Sequence, residues 1–150
     1  MRKYIAIFMA LVLFFSIIYE INAEENAIKN AKIEITRVDF GEITWEYLEI
    51  NIHLGIINNE SRGINIEGKF HVFILNVSIG DAKMKANVEA HSSQELIIPF
   101  RVYYDKVAEG IVNSIKSGNF NLTLKGKITG KILFGLFLFS QHIEATWQWQ

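Results

Sequence analysis

A mainly β fold is what this chain predicts: an antiparallel β-sandwich of about seven strands with one late α-helix, preceded by an N-terminal hydrophobic helix. Three observations predict it. Residues 48–58 read Leu-Glu-Ile-Asn-Ile-His-Leu-Gly-Ile-Ile-Asn, with Leu48, Ile50, Ile52, Leu54 and Ile56 alternating with Glu49, Asn51 and His53. Such strict alternation belongs to a strand with one buried and one wet face, because successive side chains of a strand point to opposite sides. The same two-residue rhythm recurs along most of the chain between clusters of turn residues. The period changes to that of a helix only twice, at the N-terminus and after residue 104.

Arg2 and Lys3 precede an apolar run from Tyr4 to Tyr19, interrupted only by Ser16 and closed by Glu20. This is the charged start and hydrophobic middle of an export signal, although long for a signal peptide and short for a spanning helix. Ile21-Asn22-Ala23 ahead of Glu24 offers a cleavage site. Residues 1–23 therefore read as a cleaved signal peptide or as a retained membrane anchor. A buried core helix is the third reading. In either of the first two, Arg2 and Lys3 stay cytoplasmic and the domain of residues 24–150 is extracytoplasmic, secreted or anchored.

Residues 24–30 are polar and acidic and read as a short linker or frayed lead-in. Residues 31–40 alternate around Ile33 and Ile35 as a first strand, and Asp39-Phe40-Gly41-Glu42 reads as a turn. Thr44-Trp45-Glu46-Tyr47 leads into the 48–58 strand, and Asn58-Asn59-Glu60-Ser61-Arg62-Gly63 supplies residues that adopt positive φ easily. Ile64, Ile66, Phe70, Val72 and Ile74 form the next apolar face, with Gly68 marking a bulge or a close approach. Asn76 to Asp81 is expected to hold a turn around Gly80. Met84, Ala86 and Val88 then alternate with Lys83, Lys85 and Asn87 in an edge strand, where lysines discourage pairing with another chain.

Ala90-His91-Ser92-Ser93 reads as a loop, and Leu96, Ile98, Phe100 and Val102 as a strand, with the single proline, Pro99, where no ladder donor is needed. Val107, Ala108, Ile111, Val112 and Ile115 recur at helical spacing over about three turns, with Asp105 as cap and Gly118 as left-handed stop. Phe120, Leu122, Leu124 and Ile128 restore the strand rhythm. The run bounded by Ile132 and Phe139 is almost continuously apolar, and Ile143, Ala145, Trp147 and Trp149 close the chain. Elements of this kind and number suit an immunoglobulin/fibronectin-III-like sandwich.

Half of the residues are hydrophobic and 13% are aromatic, a composition that excludes a disordered chain. Removing residues 1–23 takes out Arg2, Lys3 and Glu20 and leaves 13 basic and 15 acidic residues. That near-neutral balance gives no general reason to bind nucleic acid. The chain has no cysteine, so disulfides, thiol catalysis and thiolate metal sites are excluded.

No catalytic, cofactor-binding or metal-ligating residues can be singled out. His53 and His71 fall on wet strand faces and could be neighbours, but no carboxylate or third ligand sits at zinc spacing, and they, His91 and His142 read as surface histidines. His142 and Glu144 share a strand face as an exposed polar pair. The segment Gly126-Lys127-Ile128-Thr129-Gly130-Lys131 lacks phosphate-loop spacing and lies within a strand pattern. Lys125, Lys127 and Lys131, with Lys83 and Lys85, form a solvated basic face, or one for anionic headgroups. Asn59-Glu60-Ser61, Asn76-Val77-Ser78 and Asn121-Leu122-Thr123 fit the glycosylation acceptor pattern. The 132–139 run is either a strand buried on both faces or an apolar lip for lipid or a partner.

The 48–58 strand running into an Asn-containing turn, Gly63-Ile64-Asn65-Ile66, Ser92-Ser93 before Ile97-Ile98-Pro99, the late helix and Phe120-Asn121-Leu122-Thr123-Leu124-Lys125-Gly126 carry a resemblance. Over residues 33–147 the chain resembles the group 2 late-embryogenesis-abundant (LEA) family, whose module is the water-stress-and-hypersensitive-response (WHy) domain. It departs at Asn58-Asn59, where that family usually has Asn-Pro. The resemblance implies a folded β-sandwich with one helix, no enzymatic activity and no cofactor. It also implies stress protection under desiccation, freezing or heat, with stress-denatured proteins or membrane lipids as partners. Several relatives carry an N-terminal anchor. The expected function is a non-enzymatic extracytoplasmic protective or interaction module; the alternative is an envelope lipid-binding module using the region from Ile132 to Phe139.

Overall fold

The structure, a computed structural model, describes residues 2–148; Trp149, which the alternation places in the last strand, lies outside the described residues. A long helix, α1 (Arg2–Asn30), is followed by β1 (Lys32–Ile43), β2 (Tyr47–Asn58), β3 (Ile64–Ile74), β4 (Val77–Val88) and β5 (Ser92–Tyr103). A short helix, α2 (Glu109–Lys116), then precedes β6 (Asn121–Ile132) and β7 (Phe137–Gln148). The strands form two antiparallel sheets, ordered β1-β2-β5 and β4-β3-β6-β7. This is the sandwich expected from the alternation.

The 48–58 stretch is β2, the middle strand of the first sheet. Leu48, Ile50, Ile52, Leu54 and Ile56 are wholly buried and meet Ile66, Val72, Ile74, Leu122, Leu124 and Ile128 of the second sheet in one continuous core. β4 and β5 are edge strands on one side of the sandwich. β4 carries its lysines there, and Pro99 of β5 faces a neighbour on one side only, so its missing N–H need not break a ladder.

Several local expectations are corrected. Residues 24–30 are not a linker, because α1 continues through them and buries Ala27 and Ile28 in the core. Gly41 and Glu42 are not a turn: they sit in a bulge of β1 between Phe40 and Ile43. The chain turns instead at Thr44, whose Oγ1 accepts from the amides of Glu46 (3.1 Å) and Tyr47 (3.0 Å). The β3–β4 turn is not at Gly80 but at Leu75 and Asn76, both left-handed (φ 52° and 64°), as a two-residue hairpin requires. Gly80 lies within β4 beside a bulge, where a Cβ would meet the Phe100 ring at 2.8 Å.

Gly68 has no bulge; the Phe70 ring covers it, 2.6 Å from where a Cβ would lie. Asp105 does not cap the late helix, which begins after Ala108 with no side-chain cap and is shorter than its spacing suggests, at eight residues. Gly118 does provide the left-handed stop (φ 74°).

The run from Ile132 to Phe139 is not a strand buried on both faces. Positive φ at Leu133, Phe134 and Gly135 folds it into the hairpin that joins β6 to β7. Leu136 N–H closes the turn on the Leu133 carbonyl at 3.1 Å.

Candidate functional site

One end of the sandwich gathers the start of β1, the β2–β3 and β4–β5 loops and the β6–β7 tip, as the strand registers require. Helix α1 meets the sandwich here. Its N-terminal part is long and apolar enough to cross a membrane, and none of that apolar window is buried against the protein. Its last turns behave differently. Ile28 packs over Gly130 of β6, where a Cβ would lie 2.6 Å from Ile28 Cγ1, so the glycine makes the seat for the isoleucine.

Polar contacts fix the same junction. Glu24 Oε2 accepts from the Leu133 amide at 2.8 Å. Arg62 Nε reaches both Glu20 oxygens at 2.9 and 3.1 Å, and the hydrogen bond and charge of Glu20 raise the arginine above its ordinary range. Asn30 Nδ2 donates to Glu60 at 3.1 Å. Asn58, fully buried, donates to the carbonyls of Arg62 (2.8 Å) and Glu89 (3.1 Å) and accepts from the Glu60 amide (3.1 Å). It ties the two neighbouring loops together in the place where the resembled family turns with Asn-Pro.

The β6–β7 tip is the apolar element of this end. Phe134 is 104% exposed, Leu136 77% and Leu138 67%, and half of Phe137 is also open. This exposure rules out the buried-strand reading of the run.

His53 is not a surface histidine. It lies on the outer face of β2 but is covered there by its neighbours on β1 and β5. Its Nε2 is 3.0 Å from Asp39 and its Nδ1 3.0 Å from Glu95, with Arg37 at 3.4 Å and Thr36 closing on Glu95. Each ring nitrogen faces a carboxylate, an arrangement that fixes the sheet face and leaves no ring nitrogen for a metal. His53 and His71 stand on different sheets and are not neighbours. His71 pairs with Asp81 at 2.6 Å; His142 and Glu144 are exposed on one face of β7. Among the described residues no three His, Cys, Asp or Glu side chains group as a metal cage.

On the outer face of the second sheet Lys83, Lys69 and Lys127 stand in one cross-strand row that ends at His142. Lys85 pairs instead with Glu67 at 3.6 Å, and Lys125 lies over the Phe73 ring. Between the β4 and β5 edges runs an open groove of about 340 Å³, with Lys83 and Lys85 on one wall and Ile97 and Pro99 on the other. Residues 126–131 are all within β6, which agrees with their rejection as a phosphate loop.

At the opposite end of the sandwich Trp45 is 100% exposed. Below it Tyr47 donates to Glu42 at 3.0 Å and lies under Arg101. The hydrogen bond to Glu42, with some burial, raises the Tyr47 phenol above its ordinary pKa against the opposing pull of Arg101.

Sequence reasoning missed the docked part of α1, the His53 network and the hairpin turn within the 132–139 run. Two signals were present: Ala27-Ile28 inside a polar stretch, and Gly135 in the middle of an apolar run.

No family model matches the chain, and no curated protein does. Among solved structures it is similar to the solution structure of a protein from Arabidopsis thaliana, with a TM-score of 0.57 and 20% identity over 75% of this chain and 76% of that one. It is less similar to the crystal structure of a protein from Archaeoglobus fulgidus (TM-score 0.48, 17% identity, 79% of this chain and 96% of that one). A glycoside hydrolase family 2 β-glucuronidase matches at 9% identity and a TM-score of 0.46, over 77% of this chain and 12% of its own length. At 20% identity the likeness to the Arabidopsis thaliana protein is one of fold.

Proposed function

We propose that this chain is a membrane-anchored, non-enzymatic module of the LEA-2/WHy kind, held outside the cytoplasm and protecting proteins or membranes there under stress. The observation that carries the anchoring is the continuity of α1, apolar and unburied at one end and seated in the sandwich core at the other. Retention rather than cleavage is favoured because Ala23 and Glu24 lie inside that helix, between the Glu20–Arg62 pair and the Glu24–Leu133 bond. Cleavage after Ala23 removes the first of these. Arg2 and Lys3 at the far end orient the helix with its N-terminus inward.

The family reading is supported by where its motifs fall. Asn58 closes the turn into which the resemblance runs the 48–58 strand, Ile97-Ile98-Pro99 lies in the edge strand β5, and residues 121–126 open β6. The resemblance carries no catalytic residue onto this chain, and the reading is accordingly non-enzymatic.

The test is protection. Full-length protein in phosphatidylcholine liposomes is heated with a heat-labile soluble enzyme, and aggregation is followed by light scattering. Less scattering than with bare liposomes plus an equal mass of albumin is expected. Equal or greater scattering overturns the protective role.

A further inference from the structure

We infer that the β6–β7 tip is a second membrane contact, entering the outer leaflet of the same bilayer that α1 crosses. The inference rests on the anchored reading and deepens it: the sandwich is pinned to the membrane at two points, not swung from one.

Ile28 of α1 is level with Gly130 of β6, and Glu24 is level with Leu133. Moving toward the N-terminus of α1 therefore means moving along β6 toward its tip. Phe134 and Gly135 lie beyond Leu133, with Leu136 level with it across the turn, so the tip points along α1 toward Glu20. Glu20 is the first charge after the apolar run. A helix that spans with residues 2–19 reaches about 27 Å, close to the hydrocarbon thickness, so Glu20 marks the outer interface. The tip meets that interface.

Its chemistry is that of a lipid wedge. Four exposed apolar residues, Phe134, Leu136, Phe137 and Leu138, cluster there, and Lys131 is exposed opposite Leu138, placed for a headgroup. The neighbouring loops of the same end are polar, carrying Asn59, Glu60, Ser61, Glu89 and His91. The backbone is also committed. Leu133 and Phe134 hold left-handed φ of 51° and 57°, a conformation usually left to glycine or asparagine, and Glu24 and the Leu136–Leu133 bond keep them there. Bulky apolar residues kept at such positions, in the open and beside an anchor, fit a bilayer as their occupant.

The absence of native cysteine allows unique labelling. Single cysteines at Phe8, Trp45 and Phe134 carry an environment-sensitive fluorophore in full-length protein reconstituted in 3:1 phosphatidylcholine:phosphatidylglycerol vesicles. Nitroxide lipids are the quenchers. Quenching at position 134 at least about twice that at position 45 is expected, strongest with nitroxides near the headgroups, as for an interfacial wedge. Adding Leu136→Ser and Phe137→Ser should remove that excess while the thermal midpoint stays unchanged, which separates the native tip from the dye. Quenching at 8 with a water-like signal at 134 overturns the inference and leaves the anchor standing. Water-like signals at both 8 and 134 overturn the anchored reading and the inference with it.

Discussion

Ile28→Ala is the perturbation that most directly tests how α1 is joined to the sandwich. Ile28 is 1% exposed and rests over Gly130, which has no side chain to move into a vacated space. Three carbons are lost at about 0.8 kcal/mol each, and the residual cavity adds to this, giving about 3–4 kcal/mol. With a urea slope of about 2 kcal/mol/M, the midpoint should fall by about 1.5–2 M. The assay is urea unfolding of the full-length protein in a mild non-ionic detergent, followed by tryptophan fluorescence. Gly130→Ala should also destabilise, because its new methyl would meet Ile28 Cγ1 at 2.6 Å. In the double variant that methyl has room, so the two changes together should cost less than their sum. A single-variant loss below about 0.5 kcal/mol, the usual effect of a surface change, would refute the seating of α1 and return residues 24–30 to the status of a linker.

Three further outcomes are expected. Asn58→Ala strands one amide and two carbonyl groups at a buried site and should cost about 2–3 kcal/mol, lowering Tm by about 6–10 °C; a calorimetric change within about 2 °C would deny the two-loop tie. Tyr47 holds its proton more tightly when folded than when unfolded, so its contribution to stability is full below the ordinary tyrosine range and is lost as pH rises through the raised value. Ultraviolet titration should show Tyr47 ionising late, and Glu42→Gln should bring it back toward the ordinary range; no change on that substitution would remove Glu42 as the principal cause. The Tyr104 hydroxyl is buried without a hydrogen-bond partner among the described residues. Tyr104→Phe should therefore be neutral or stabilising by up to about 1 kcal/mol in the same urea assay, and a clear loss would reveal a partner.

Strand alternation made most of the fold legible, because a sheet with one wet face writes its burial pattern directly into the sequence. Residues 48–58 are the clearest case, and β2 is the strand they describe. Turn positions were less legible. Glycine at 41 and 80 suggested turns, yet both are strand glycines beside bulges, whereas the actual left-handed turn falls on Leu75 and Asn76. Asn76 suits that conformation, but Leu75 does not, and strand pairing placed the turn there against its local preference.

The site was harder to see for two physical reasons. His53 sits on the polar side of its strand and is buried only because Asp39 and Glu95 arrive from neighbouring strands. Residues 24–30 look like a linker because docking needs just Ala27 and Ile28, and their seat is a glycine a hundred residues away. The apolar run at 132–139 was visible, but its fold into an exposed tip depends on a backbone that composition does not specify.

The central claim is that α1 is kept and holds the sandwich at the membrane. The most direct measurement is the N-terminus and intact mass of the native protein, taken from both the membrane and the external fraction. The account predicts an unprocessed N-terminus, confined to the membrane and released by detergent but not by alkaline carbonate. A chain beginning at Glu24 in the external fraction would contradict it.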